Sequence, residues 1–391
     1  MMIKVAVIGT GGIANAHLEA YATTFKGRCQ VVALCDMYED KAARYQEKYQ
    51  FDDCRVVQDY RELLASDIDL VSICTPPYTH APIAIDFLRA GKHVLVEKPM
   101  SSSLEECDHM LEAASESKRI LSVIGQNRFR DPIMKLKRTL ETGKIGKIVH
   151  AQVDSHWWRG HSYYDLWWRG TWEKEGGGCT LNHAVHHIDM LQWMMGMPDK
   201  VLAVMSNTSH DNAEVEDISI AILSYGNGSL AQITSSVVHH GEEQQLIFQG
   251  EEARISVPWK VYASTSKDNG FPIQNTALEK EIENAYDSIP DLPYSGHAGQ
   301  IDDVLKAIES GSPGVLIDGR EGRRTLELIT AIYESAVTGK NVSLPLPADS
   351  LFYSRSGLLA NAPHFYEKSS SVVSFSENEI TLGSDYSKSH G

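Results

Sequence analysis

The spacing of apolar positions changes part-way along this chain. Up to about residue 127 they come in short unbroken runs, at Ile3–Ile8, 30–34, Arg55–Val57, 69–74, His93–Val96 and 122–127. Runs this short with no polar alternation are strands buried on both faces. Between them lie segments of helical period, at 15–25, 40–49, 60–65 and 81–90, so the pattern predicts a doubly wound parallel sheet. Beyond a helix over 132–141 the period drops to two. Strands are expected at 148–154, Lys200–Ser206, 217–224, 229–238 and 245–250, with Gly226-Asn227-Gly228 turning one hairpin. Residues 258–296 read as irregular and acidic, and helices are expected over 297–310 and 321–338. The pattern divides the chain at 1–125, 126–346 and 347–391. The last part is serine-rich. Its front, with Phe352, Tyr353, Phe365 and Tyr366, is expected to dock on the body, and its rear, from about Ser369, to be loosely ordered.

Composition narrows the partners. The chain has 391 residues and a formal net charge of -16, a balance that argues against nucleic acid. No apolar run approaches the roughly 20 residues that cross a bilayer, and the first residues read as a strand and not as a signal peptide. Six cysteines are scattered without a CxxC pair, which points to reduced thiols and a cytoplasmic setting.

Chemistry concentrates at strand ends. Gly9-Thr10-Gly11-Gly12-Ile13-Ala14 is a GxGxxA fingerprint after a strand and before a helix, the context in which glycines let a backbone approach a dinucleotide pyrophosphate. Asp36 closes the second strand, where an acid accepts from the adenine-ribose hydroxyls and repels an added phosphate, so NAD is favoured over NADP. Thr75-Pro76-Pro77-Tyr78-Thr79-His80 and Glu97-Lys98-Pro99 end two more strands, and Pro99 is a candidate cis residue. In the second half, three glycines lead into Cys179-Thr180-Leu181-Asn182-His183-Ala184-Val185-His186-His187-Ile188-Asp189. A single helix capped by Thr180 is expected there, with Asn182, His186, Asp189 and Trp193 on one face. The alternative is a polar first turn with a core histidine. His183 and His187, four apart, are a conceivable zinc pair, but no glutamate base or cysteine pair supports a metal, and none is expected.

These motifs together resemble the Gfo/Idh/MocA oxidoreductases, the glucose-fructose oxidoreductase and inositol dehydrogenase family, over roughly residues 3–346. The resemblance implies an N-terminal Rossmann dinucleotide-binding domain and a C-terminal α/β domain with a large open, mostly antiparallel sheet. It implies hydride transfer between nicotinamide and a secondary alcohol carbon of a sugar or cyclitol, in a homodimer or homotetramer. By position it assigns Lys98, His186 and Asn182 to catalysis, Asn182 standing where many members have aspartate. Gly9, Thr10, Gly11, Gly12, Ile13, Asp36, Thr75, Pro76, Tyr78, His80, Glu97, Lys98 and Asn127 fall to the cofactor. Arg128, Asn182, His183 and His297 fall to the substrate.

The loop 156–172 holds five of the seven tryptophans. Its Trp158 and Trp168 offer flat faces to sugar C–H groups, while Arg159 and Arg169 suit a carboxylate or phosphate; packing under the sheet or at a subunit contact is the other use of such tryptophans. Two further functions stay open: a glycoside-cleaving enzyme that oxidises C3 transiently, and a non-catalytic dinucleotide-binding regulator. The histidine, neutral near physiological pH, is the expected base, and the lysine the group that polarises the reacting oxygen.

Overall fold

The computed structural model describes residues 2–312, 314–373, 375 and 386. Six strands, β1 (Ile3–Ile8), β2 (Cys29–Cys35), β3 (Arg55–Val57), β4 (Leu70–Ile73), β5 (His93–Val96) and β6 (Leu121–Val123), pair in parallel in the order β3-β2-β1-β4-β5-β6. Helices α1 (Ala14–Glu19), α2 (Glu39–Tyr49), α3 (His80–Arg89) and α4 (Leu104–Ser117) connect them. The strand order reverses between β1 and β4, and the crevice beyond their carboxyl ends is where such sheets bind ligands. Helix α4 went unmarked in the sequence pattern. Its signal is the pair Ser103 and Glu106: the Ser103 hydroxyl accepts from the Glu106 amide, and the Glu106 carboxylate accepts from the Ser102 amide at 3.0 Å.

After α5 (Asp131–Glu141) the chain enters a second sheet through β7 (Ile148–His156), then α6 (Cys179–Asn182) and α7 (Val185–Met195). Strands β8 (Lys200–Ser206), β9 (Ile218–Ser224), β10 (Leu230–Ser236), β11 (Gln244–Gly250), β12 (Ala253–Val257), β13 (Lys260–Ser266) and β14 (Pro272–Gln274) follow, and β15 (Val342–Ser343) adds the far edge. The order is β14-β13-β12-β11-β7-β10-β9-β8-β15, antiparallel throughout except between β7 and β10. One face packs on α7 and on α10 (Gly319–Thr338), and alternate residues of β8 and β9 are buried there. The opposite face leaves Leu202, Val204, Ile220, Ile222 and Leu230 exposed.

Two expectations change. Residues 258–296 are not irregular: they hold β13, β14 and α8 (Thr276–Asp287), which Asn275 caps. Only Ile282 of α8 is buried, so its apolar stripe is too thin to read from sequence. Helix α9 (Gly296–Ser310) returns to the first sheet. Its Ile301, Val304 and Leu305 join the core of Val5, Leu18, Tyr21 and Phe25, and the Gln300 amide bonds Gly125 and Val123 at 2.9 and 2.7 Å.

The C-terminal extension is tied to the tryptophan-rich loop. Beyond α11 (Arg355–Asn361), the Pro363 carbonyl accepts from the Trp172 indole at 2.8 Å. The Ser369 and Ser370 amides donate to the Asn212 carbonyl at 2.9 and 3.0 Å, and Val372 pairs with Leu166. Loose order is thus not found at 369–373; the rest of that expectation lies outside the described residues, apart from 375 and 386.

Candidate active site

The cradle at the end of β1 is built on close backbone approach. Gly9 has φ +88°, and a methyl there would come within 2.8 Å of the Cys74 carbonyl carbon and the Thr75 nitrogen. Next to it the space over Gly11 is open, with nothing within 4 Å of an added carbon. A backbone tight on one side and bare on the other fits a pyrophosphate. Gly12 and Ile13 accept from Asn15 and Ala16 as α1 begins. Asp36 fixes the turn: one oxygen accepts both the amide and the hydroxyl of Thr10 at 2.8 Å, and the other accepts from the Tyr38 amide.

Thr75, Pro76 and Tyr78 sit on the β4 turn, where the Thr79 hydroxyl reaches that of Thr75 at 2.7 Å. His80 does not face outward from it. Both its ring nitrogens meet carbonyls, Thr75 at 2.7 Å and Pro99 at 2.9 Å, and burial lowers its pKa. It bolts two strand-end turns together and leaves no nitrogen for the cofactor.

The turn after β5 has a cis Lys98–Pro99 bond. Glu97 is buried between two imidazoles, His17 at 2.9 Å and His297 at 3.2 Å. Burial opposes its charge, yet the two histidines hold its pKa well below the usual carboxylate range. Burial likewise opposes charge on His17, but Cys74 and Glu97 raise it to about 9. These three are the one cluster of metal-type ligands among the described residues, and their spacing is that of hydrogen bonds. His297, expected at the substrate, is buried and turns its Nε2 to Glu97. The Lys98 ammonium donates to the Asn182 carbonyl at 3.0 Å, and burial together with nearby Arg169 lowers its pKa.

The expected single helix is two. It breaks at His183 and Ala184, because α6 ends after one turn and α7 starts afresh at Val185. Asn182 and His186 therefore do not share an unbroken helix face. Thr180 is not the cap either; its hydroxyl bonds Ser219 at 2.7 Å. Glu216 does the capping from the strand side, its carboxylate accepting from Gly178 and Thr180 amides at 3.0 Å and its carbonyl from Cys179 at 3.2 Å. A methyl on Gly178 would lie 1.9 Å from that carbonyl, which explains the glycine sterically. The Asn182 amide nitrogen donates back to the Gly177 and Gly178 carbonyls at 2.9 and 3.3 Å. Lys98 and His186 line one cavity with Gly125 and Val185. Burial first, then the Lys98 charge, pushes the His186 pKa well down, so the imidazole is neutral.

Asp189 and Arg128 leave the site together. Arg128 is fully buried and bonds both Asp189 oxygens at 2.8 and 2.7 Å and Glu321 at 2.9 Å. Its role is to brace α7 and α10 against the crossover, enclosed from solvent. Asn127 is similarly engaged, donating to the Tyr386 hydroxyl at 3.2 Å and accepting from Arg130 at 3.1 Å.

The tryptophan loop divides. Trp157 and Trp172 are buried, whereas Trp158 is 46% exposed and stacks on His240. Arg169 lies over the Tyr163 and Trp168 rings at 4.1 and 4.3 Å and pairs with Glu175 at 3.1 Å. Burial raises the Glu175 pKa to about 7 against the pull of Arg169. Arg159 pairs with Glu242 at 2.6 Å. His183 packs between Trp157 and Tyr163, ring centres 5.5 Å from each, and burial then Arg159 hold it neutral. Glu175 and Glu216 went unmarked in the sequence; Glu175, directly before the glycines, was within reach of a local reading.

Comparison with known proteins places the fold. A family model described as "Oxidoreductase family, NAD-binding Rossmann fold" matches residues 3–124, and one described as "Oxidoreductase family, C-terminal alpha/beta domain" matches 137–344. D-glucoside 3-dehydrogenase of Escherichia coli K12 is 25% identical over 370 residues, covering 88% of this chain and 97% of that protein. Inositol 2-dehydrogenase/D-chiro-inositol 3-dehydrogenase of Shouchella clausii is 27% identical, covering 91% and 98%. Among solved structures, the WlbA dehydrogenase from Chromobacterium violaceum, in complex with NADH and UDP-GlcNAcA, superposes with a TM-score of 0.77 at 30% identity over 88% of this chain and 97% of that one.

Proposed function

The chain belongs to the Gfo/Idh/MocA oxidoreductase family, and from that premise we propose that it moves hydride between NAD(H) and a secondary alcohol carbon of a sugar or cyclitol. It is an NAD(P)-dependent oxidoreductase. The observation that carries the site assignment is a neutral, buried His186 near enough to Lys98 for the lysine's charge to depress its pKa, with the Asn182 carbonyl holding that lysine in place.

Gly9, Thr10, Gly11, Gly12 and Ile13 hold the cofactor diphosphate, with Thr75, Pro76 and Tyr78 beside it. The bound nicotinamide supplies the hydride acceptor. His186 takes the hydroxyl proton as the alcohol is oxidised, which requires it neutral beforehand. Lys98 donates a hydrogen bond to the same oxygen and stabilises the charge that develops there. Asn182 positions: its carbonyl aims the ammonium, and its amide ties that carbonyl to the glycine turn. A proton relay through residue 182 is not needed for this arrangement. Asp36 underlies a preference for NAD, because its carboxylate repels a 2′-phosphate. The exposed apolar face of β8 and β9 supports a homodimer or homotetramer, which light scattering on Val204→Lys would dissociate. The six cysteines, all free and buried, suit a cytoplasmic protein. Among the described residues no helix is long and apolar enough to cross a membrane.

The test is NAD reduction, followed by near-ultraviolet absorbance, over a panel of sugars, inositols and glycosides. A panel member should reduce NAD in preference to NADP, and His186→Ala should lower kcat by about 10²–10⁴-fold. Full activity in His186→Ala would sink the assignment. Release of an aglycone without net NADH would instead mark transient oxidation.

A further inference from the structure

Lys98 is held at both ends. Its ammonium donates to the Asn182 carbonyl, and its backbone amide donates to Glu97 Oε2 at 3.2 Å. The other oxygen of that carboxylate, Oε1, meets His17 Nε2 at 2.9 Å and His297 Nε2 at 3.2 Å. The two imidazoles stand edge to face, ring centres 5.4 Å apart, and all three side chains are buried. Each comes from a different part of the chain. His17 lies on α1, which follows the glycine turn; Glu97 follows β5; and His297 lies in the first turn of α9, after the second sheet.

A brace between these elements needs none of this polarity. Helix α9 is already fixed to the first sheet by Ile301, Val304 and Leu305, and by Gln300 on Gly125 and Val123. Ala14 and Leu18 bury α1 in the same core. A buried carboxylate costs desolvation, and apolar residues of like volume commonly hold a fold as well. What an apolar residue cannot do is grip the next amide and set a negative charge beside the next ammonium. Burial lowers the Lys98 pKa; Glu97 is the largest influence raising it, with Arg169 lowering it and Glu175 raising it less. His183 and His186 also face this lysine. Besides the two imidazoles and Lys98, Glu97 faces Cys74, His80 and His186.

We propose that His17 and His297 are positioning residues for Lys98: they pin Glu97, and the pinned carboxylate fixes the backbone from which the ammonium reaches the reacting oxygen. Because His297 arrives with α9, the lysine is set only once the chain beyond the second sheet has returned. The alcohol at Lys98 rests on the dehydrogenase reading above; the hold on the lysine does not.

The experiment reads the lysine without turnover. NADH-loaded protein is labelled with trace acetic anhydride between about pH 7 and pH 11, and Lys98 acetylation, followed by mass spectrometry, gives the pKa of its ammonium. The same variants are assayed for NAD reduction against pH with a sugar that the parent protein oxidises. The negative charge of Glu97 favours the ammonium, so losing it lowers the Lys98 pKa and brings the alkaline limb of kcat to lower pH. Glu97→Gln should lower both by about one unit. His297→Leu, which frees Oε1 on one side, should move both the same way and reduce kcat about fivefold with KM little changed. His17→Gln and His297→Gln, which keep a donor on Oε1 and are the safer folds, should stay close to the parent. Variants that melt earlier while the Lys98 pKa stays in place show a brace only and overturn the proposal. So does a Lys98 pKa that falls as far in His297→Gln as in His297→Leu. A lowered Lys98 pKa in a protein that oxidises no sugar leaves the hold standing and sinks the dehydrogenase reading; sugar oxidation with the Lys98 pKa unmoved by the substitutions does the reverse.

Discussion

Arg128 and Arg169 both come from stretches that the sequence marks for substrate, and their surroundings treat them in opposite ways. Arg128 is fully enclosed and meets Asp189 in a two-pronged bond with Glu321 alongside. Among the described residues Arg169 has one carboxylate, Glu175, whose own ionisation is suppressed by burial, and its Nε has no partner. The lesson is that a buried charge says little by its presence. What separates a brace from a ligand site is whether neighbouring groups already complete it.

The largest effect should come from breaking the completed side. Arg128→Met leaves buried Asp189 without a counter-charge, while Glu321 keeps Arg324. A loss of about 3–5 kcal/mol is expected, read as a lowered midpoint in denaturant unfolding, whereas Arg169→Lys should lose much less. Equal losses at the two positions would erase the distinction.

A middle-sized effect tests the incomplete side through pH. Glu175 titrates at about 7, pushed up by burial against Arg169, with Gly170, Glu216 and Lys368 also facing it. Its folded pKa is above the unfolded value, so its contribution to stability is full below about pH 4.5 and is lost as pH rises through about 7. Glu175→Gln, which cannot ionise, should flatten the fall in the denaturation midpoint between about pH 5 and pH 8. A midpoint profile unchanged by the substitution would show that Glu175 does not titrate there.

The smallest effect is expected at Trp158. It is exposed and stacked only on His240 among the rings near it. Trp158→Ala should change the melting stability by no more than about 0.5 kcal/mol, while any role in holding sugar appears as a raised KM. Trp157, buried beside His183, has no such freedom.

What the sequence made legible follows from the range of each interaction. The bounds of β1 and β5 are legible to the residue, because a buried parallel strand is written in consecutive apolar residues. The Gly9–Ala14 turn was legible for the same reason: its chemistry is local. The break between α6 and α7 was not, since Glu216, which sets the start of α6, lies 38 residues from Gly178. Nor was the fate of Arg128, whose partners stand 61 and 193 residues away. A local pattern marks which residues are chemically capable, and distant pairing decides which of them are left available. Helix α8 failed differently, with too little buried surface to leave a periodic trace.

The return of α9 has a consequence for the order in which the chain is made. A nascent chain made as far as residue 125 already contains every strand of the first sheet, yet lacks Ile301, Val304 and Leu305, which close the core over Tyr21, Phe25 and Ile124. Gln300, which receives the Gly125 amide, is also still unsynthesised. The cofactor half, made before the second sheet, therefore waits with an apolar flank uncovered through the synthesis of nearly two hundred further residues.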